Sequence, residues 1–173
     1  MLVALSSKFQ DQAELLQRIV DALRPLPVRG VVMTDLGIDP ASVDAPPHVQ
    51  VVQSAPHGEV LREAALTVTH AGHGTVIKTL AAGVPLVCLP MGRDQLDVAA
   101  RVVHARAGQR LDPVAPADSI ASAISDVLAD ASYAAAAARI ASVIAEETAS
   151  DLAVEEIEAV AAGAQQDAVG AAG

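Results

Sequence analysis

Two histidines and two glycines lie close together in one short segment, and this combination is typical of a phosphate site. The segment is His70-Ala71-Gly72-His73-Gly74-Thr75. Gly72 and Gly74 permit positive φ and let a ligand approach the backbone closely. If a helix begins near Thr75, its first amides point out of the helix end and attract an anion. His70 could donate a hydrogen bond to a phosphate oxygen, so we expect a diphosphate site here.

The segment does not match the sequence motifs of three well-known ligand-binding or catalytic loops. It has no Gly-Lys-Ser/Thr at the spacing of a P-loop, and Ile77 stands where the dinucleotide fingerprint has its third glycine. A nucleophile elbow needs a serine between the glycines. His70 and His73 are spaced like some metal pairs, but no third His, Cys or carboxylate is close in sequence, so we expect no metal. The alternative is a plain glycine turn with its histidine bonded to the backbone.

A second polar segment follows the next apolar run. It reads Pro90-Met91-Gly92-Arg93-Asp94-Gln95. Asp94 accepts hydrogen bonds and Gln95 can both donate and accept them, which suits sugar hydroxyls. The alternative is that Asp94 caps or opens a helix and that Arg93 is solvated.

Composition excludes several classes of function. The chain has 173 residues, a net charge of −10, 52% hydrophobic residues and 1% aromatic residues, with no Trp. Such an acidic chain lacks the basic face of a general nucleic-acid or anionic-membrane binder. The single Cys88 excludes an intrachain disulfide and a Cys-rich zinc site. No apolar run spans a bilayer and no signal peptide is evident, so we expect a cytoplasmic protein without membrane insertion.

Short apolar runs alternate with helical patterns along the chain, as in a parallel sheet with crossover helices. Predicted strands cover residues 2–5, 28–33, 49–52, 66–69, 86–89 and, more weakly, 109–111. Predicted helices cover residues 11–23, 59–65, 75–82, 94–107 (with Gly108 at its end), 117–128 and 132–160.

This pattern predicts an α/β fold: a single Rossmann-like, doubly wound parallel sheet of five to six strands, with helices on both faces. Ligands bind such sheets at the carboxyl ends of the strands, near a switch in strand order. The two polar segments therefore open on the same edge. We expect a domain over residues 1–160 and a disordered Ala/Gly-rich tail over 161–173.

The two segments together resemble the donor-binding signature of inverting nucleotide-sugar glycosyltransferases, the GT-B enzymes with two Rossmann-like halves that include antibiotic and macrolide glycosyltransferases. The linking Ala82-Gly83-Val84-Pro85 and the upstream Ser54-Ala55-Pro56-His57 share the resemblance, which covers about residues 1–130. It implies that this chain is the C-terminal, donor-binding half. Such a half binds a UDP- or TDP-sugar, while an N-terminal half binds the acceptor and carries the catalytic base.

The resemblance implies a role for each matching residue. His70, Gly72, His73, Gly74 and Thr75 would hold the diphosphate, with Ser7 of the first strand–helix loop nearby. The donor sugar would contact Asp94 and Gln95, and the base would lie against Ser54, Ala55 and His57. It implies no cofactor beyond the nucleotide-sugar co-substrate, and no catalytic residue in this chain.

Three positions depart from the family pattern. Ser54 replaces a tryptophan that stacks on the base, His57 replaces a glutamine, and Lys78 replaces a glutamate that holds the ribose. An ammonium cannot accept the ribose hydroxyl hydrogens. Recognition of the base must therefore use backbone contacts or aliphatic packing.

We expect a hexosyltransferase half that binds its donor but catalyses nothing alone, either as an excised domain or as a natural half that needs a partner. Two alternatives are the donor-binding subunit of a two-component glycosyltransferase and one half of a nucleotide-sugar epimerase. The epimerase would need catalytic carboxylates in its cleft, where Asp94 is the one evident acid.

Overall fold

The computed structural model of the chain describes residues 1–5, 12–149, 154 and 156–161. Within them, the strands are β1 (Leu2–Ala4), β2 (Gly30–Met33), β3 (Val49–Val52), β4 (Thr67–Thr69), β5 (Leu86–Cys88) and β6 (Gly108–Arg110). The α-helices are α1 (Ala13–Leu23), α2 (His57–Glu63), α3 (His73–Ala81), α4 (Gln95–His104), α5 (Ala117–Ala129) and α6 (Ala131–Thr148).

The six strands form one parallel sheet in the order β3-β2-β1-β4-β5-β6. This confirms the predicted Rossmann-like, doubly wound sheet. The chain runs outward from β1 to β3 and then returns to place β4 on the other side of β1. The strand order therefore reverses between β1 and β4, where such sheets leave a crevice at their carboxyl edge.

Apolar side chains cover both faces of the sheet because neighbouring residues of a strand point to opposite sides. On β1, Val3 belongs to one buried cluster, which includes Ile19 of α1 and Ile120 of α5. Leu2 and Ala4 belong to a second cluster, which includes Leu61 of α2. The core is aliphatic, as the composition predicts, and a three-residue strand such as β1 is held by burial on both sides.

Several element boundaries differ from the prediction by a few residues. Helices α2 and α3 each begin two residues earlier than predicted, at His57 and His73. Helix α4 ends at His104, and Gly108 is the first residue of β6 and not the end of a helix.

The chain divides into two compact units, Met1–Ala141 and Ser142–Gly173. Helix α6 ends at Thr148, and residues 154 and 156–161 are again helical, so helical residues extend up to the predicted boundary at 160. The predicted disordered tail lies outside the described residues except for Ala161. In the described part of the chain, no single helix is long and apolar enough to cross a membrane. Helices α5 and α6 reach the length and composition of a membrane span only when they are taken together, and the chain bends by 71° at the break between them.

Candidate functional site

Three of the predicted segments lie at the carboxyl edge of the sheet. His70 directly follows β4, Pro90–Gln95 follows β5, and Ser54–His57 follows β3. The strands are parallel and in register, so these segments meet at one rim. His70 lies next to the switch point between β1 and β4. Ser7, predicted to lie near the phosphates, falls outside the described residues.

The amino end of α3 presents unpaired amides at this rim. Gly72 is the N-cap residue, no side chain caps the helix, and the first bond back to it joins the Val76 amide to the Gly72 carbonyl at 3.0 Å. The amides of His73, Gly74 and Thr75 precede that bond and have no partner within the helix. Thr75 is thus a first-turn residue. His73 and Gly74 are exposed, so among the residues that the structure describes no side chain fills this corner.

The prediction that Gly72 and Gly74 use positive φ is wrong. Gly72 has φ −62°, and Gly74 also lies outside the left-handed region. The residue with positive φ is Ala71, at 67°, which is fully buried. What Gly72 supplies is space: a β-carbon there would lie 2.5 Å from Nε2 of His70. At Gly74 nothing lies within 4 Å of such an atom, so a ligand can approach the helix end.

His70 is 7% exposed and lies between the ends of β1 and β4. Burial lowers the pKa of its imidazole, whereas a hydrogen bond to the Ala4 backbone and the nearby carboxylates of Asp94 and Asp35 act to raise it. The ring is therefore neutral at pH 7. Nδ1 lies 3.5 Å from the Thr69 hydroxyl. Since His70 follows β4 and Asp94 follows the neighbouring β5, the two polar segments lie at the same edge of the sheet, and the Asp94 carboxylate is among the charges that act to raise this pKa.

Asp94 and Gln95 differ sharply in accessibility. Asp94 is exposed at the N-cap position of α4, yet its carboxylate makes no cap hydrogen bond and is available to a ligand. Gln95 is 3% exposed, and its Oε1 accepts a 2.7 Å hydrogen bond from the Met91 amide. Between them and β5 the backbone turns through Gly92 at φ 149° and Arg93 at φ 58°. Gln95 thus fixes the loop that presents Asp94.

The segment after β3 borders a cavity of about 500 Å³ between α2 and α3. Ala55, His57 and Lys78 line it. Burial and the Lys78 ammonium lower the pKa of His57, and Asp35 opposes them. Ser54 is exposed and His57 is half-buried. This arrangement places a cation where the family resemblance expects a ribose-binding carboxylate.

Sequence reasoning missed the loop after β2, which reaches the same rim. Asp35 has φ 52°, and its carboxylate acts on the pKa of both His57 and His70. Leu36 beside it is 89% exposed. The available signal was Asp-Leu-Gly directly after a strand, because aspartate tolerates left-handed backbone better than most residues.

Other features of the described residues do not add to this site. Cys88 is fully buried, and burial raises the pKa of its thiol to about 12, as expected for a core residue. No group of three or more His, Cys, Asp or Glu side chains within the described ranges could hold a metal ion. A larger cavity, about 860 Å³, lies beside β6 and contains none of the predicted site residues.

The strand order and the open helix end at its switch point define a Rossmann-like α/β domain. Residues 17–160 match the family described as erythromycin biosynthesis protein CIII-like, C-terminal domain, and the chain belongs to that family. It is a glycosyltransferase C-terminal domain, as the resemblance of its motifs implies.

Individual relatives agree with this assignment. NDP-glycosyltransferase YjiC of Bacillus licheniformis is 32% identical over 114 residues, which are 65% of this chain and 29% of that protein. The crystal structure of CalG4, the calicheamicin glycosyltransferase, is 30% identical with a TM-score of 0.84, covering 91% of this chain and 42% of CalG4. The spinosyn rhamnosyltransferase SpnG complexed with thymidine diphosphate is 28% identical with a TM-score of 0.70, covering 82% and 40%. The chain thus spans less than half of each relative.

Proposed function

We propose that this domain binds a nucleoside-diphosphate sugar, carrying uridine or thymidine, for a glycosyltransferase that transfers a hexosyl group to a small-molecule hydroxyl. The observation that carries the proposal is the corner at His70–Thr75. There, unpaired amides of α3 and a buried imidazole face an open space at the switch point of the sheet. The thymidine diphosphate complex of the related SpnG supports a ligand of this chemical class.

The diphosphate would lie against the amides of His73, Gly74 and Thr75. These donors and the partial positive charge of the helix end favour an anion. His70 already directs one ring N–H to the Ala4 backbone. To donate to a phosphate oxygen with its second nitrogen, the imidazole must be protonated. A bound diphosphate supplies the negative charge that favours this protonation.

The sugar and the nucleoside would occupy the flanks of this corner. The exposed Asp94 carboxylate would accept hydrogen bonds from sugar hydroxyls, while Gln95 keeps the loop in place and contributes its remaining carboxamide contacts. On the other flank, Ala55 would offer backbone groups to the base beside Ser54 and His57. Lys78 lies close enough to His57 to lower its pKa and would face the ribose or a phosphate.

In the proposed reaction, the acceptor oxygen bonds to the anomeric carbon as the bond from that carbon to the diphosphate breaks, with inversion. The acceptor proton passes to a base on an N-terminal half, and negative charge grows on the leaving diphosphate. Preorganised donors at this corner stabilise that charge most in the transition state. The helix end and His70 would do this without a metal ion or any other cofactor.

The test is calorimetric titration of the chain with uridine and thymidine diphosphates, using His70→Ala and the matched control His104→Ala. His104 is exposed and lines the cavity beside β6. Loss of one charge-assisted hydrogen bond at His70 should weaken binding about tenfold or more. His104→Ala should bind like the unaltered chain. Equal affinities for all three proteins would contradict the proposed site.

The isolated chain should bind a donor sugar and transfer nothing, because the acceptor site and the catalytic base would lie on the other half. Incubation with uridine- and thymidine-diphosphate sugars and a panel of phenolic and macrolide acceptors, followed by mass spectrometry, checks this. Rapid formation of a glycosylated acceptor by the 173-residue chain would refute the proposal that the acceptor site and the catalytic base lie on the other half.

A further inference from the structure

The loop after β2 is tied to the segment proposed to bind the base. The Thr34 amide donates to the Val52 carbonyl at 3.0 Å, and the Asp35 amide donates to the Gln53 carbonyl at 2.9 Å. These bonds continue the β2–β3 pairing beyond the strands. Leu36 therefore directly follows Asp35, whose backbone is hydrogen-bonded to Gln53, the residue before Ser54.

Leu36 is highly exposed, and the residue before it has a left-handed backbone. At 89% exposed it exceeds the other large apolar side chains recorded as exposed in the described ranges. Single exposed leucines are common and need no explanation by themselves. Here the residue before it is held at φ 52°, a costly conformation for a residue other than glycine. Leu36 thus stands in solvent directly after a left-handed residue.

The position of this turn relates it to the proposed ligand. The Asp35 carboxylate influences both His57, on the base side, and His70, on the phosphate side. Leu36 follows Asp35, whose amide is bonded to the Gln53 carbonyl, so it lies next in sequence to a residue that is tied to the segment proposed to hold the base. The chain has no Trp, and Ser54 and Ala55 offer little apolar area to a base.

We propose that Leu36 packs against the face of the nucleobase and supplies the apolar surface that Ser54 does not. This inference rests on the proposed function and adds to it a residue that determines affinity for the nucleoside. Contact with a flat base would bury part of the exposed leucine, which is favourable in proportion to the apolar area removed from water. Inorganic pyrophosphate has no base and would gain nothing from Leu36.

The test compares ligands with and without a base on the full chain. Leu36→Ser should weaken uridine and thymidine diphosphate binding three- to tenfold and leave pyrophosphate binding within twofold. Leu36→Trp should strengthen nucleoside diphosphate binding at least threefold, because aromatic rings stack well on bases. Val114→Ser is the matched control, since Val114 is 77% exposed and follows β6 at the far end of the sheet.

Each outcome decides one question. If Leu36→Ser binds nucleoside diphosphates like the unaltered chain, or loses pyrophosphate affinity equally, the role of Leu36 is refuted while the proposed function stands. If the unaltered chain binds neither ligand, or His70→Ala changes neither affinity, the proposed function itself fails. Circular dichroism melts confirm folding, and Leu36→Ser should leave the melting temperature unchanged because the side chain is solvated.

Discussion

The His70 ring occupies the space in which a side chain at position 72 would begin. A β-carbon at Gly72 would lie 2.5 Å from Nε2 and 2.8 Å from Cε1 of His70. Atoms cannot remain that close, so the ring or the turn must move. The ring is the softer partner because it can rotate, whereas Gly72 is fixed as the N-cap residue of α3.

We therefore expect Gly72→Ala to fold but to displace His70, weakening nucleoside diphosphate binding about tenfold, as His70→Ala does. The check is a double-mutant cycle measured by calorimetry. In the His70→Ala background the clash is gone, so Gly72→Ala should cost little further affinity. Fully additive losses would show that Gly72 acts without His70.

Binding of a diphosphate should take up a proton at His70. Burial lowers the pKa of the free imidazole, so at pH 7.5 the ring is neutral, and the bound anion favours the protonated form. Binding then consumes protons, and affinity should fall as pH rises from 7 to 8.5, by up to about tenfold per pH unit.

Calorimetry in buffers of different ionisation enthalpy measures this proton uptake. His70→Asn should abolish it, and His57→Asn should retain it, because the proposed contact of His57 is with the base. Proton uptake that persists in His70→Asn would assign the titrating group elsewhere.

At residue scale, the sequence could identify His70 and Asp94 because their types suit the chemistry and each follows an apolar run. It could not reveal why Gly72 is a glycine. The expected reason was positive φ, but the actual reason is contact with a ring two residues away, which depends on the rotamer of His70. The sequence shows the type and spacing of residues, but it does not show side-chain contacts of this kind.

At the scale of elements, β1 and β5 were predicted well because all of their residues are buried, which leaves continuous apolar runs. Helix starts were predicted late, since the first turns of α2 and α3 begin with His-Gly, which lacks apolar periodicity. The loop after β2 was not considered as part of the rim. Its placement there depends on backbone pairing with the segment after β3, which only the sheet order shows.

Gly108 shows how a reliable rule can mislead about an element. Glycine after a helical pattern predicts a helix end, but α4 ends at His104 and the left-handed residue is Arg106, at φ 56°. Gly108 starts β6 instead. A β-carbon there would lie 2.0 Å from the Leu86 carbonyl oxygen, so glycine is what lets β6 approach β5.

Gly108→Ala should therefore destabilise the fold by about 2–4 kcal/mol, because backbone atoms of β5 must move to admit the methyl group. Urea denaturation followed by circular dichroism measures the free energy of unfolding. Arg106→Gly is the nearby control and should be neutral or stabilising by about 1 kcal/mol, since it relieves left-handed strain. A loss below about 0.5 kcal/mol for Gly108→Ala would mean that β6 shifts at little cost.

At the scale of the whole molecule, the proposed anionic ligand must bind a chain of net charge −10. Distant carboxylates repel a diphosphate, but salt screens charges beyond about 8–10 Å. The amides and imidazole at the α3 corner act at contact distance, where screening is weak. The proposed affinity thus depends on local geometry, so a net charge that argues against nucleic-acid binding does not argue equally against a phosphate ligand.

The buried apolar side chains recorded for the described residues all lie at or before Ala137, and every proposed donor contact lies at or before Gln95. Both groups fall within the compact unit Met1–Ala141.

Removing residues 150–173, which leaves α6 complete, should keep the melting temperature within about 3 °C, because a change of that size corresponds to less than about 1 kcal/mol. Nucleoside diphosphate affinity should stay within twofold. A shorter chain ending at Ala141 tests the boundary between the units directly and should retain the same affinity. Loss of binding on removal of residues 150–173 would place part of the donor site, or of its support, in those 24 residues (173 − 149 = 24).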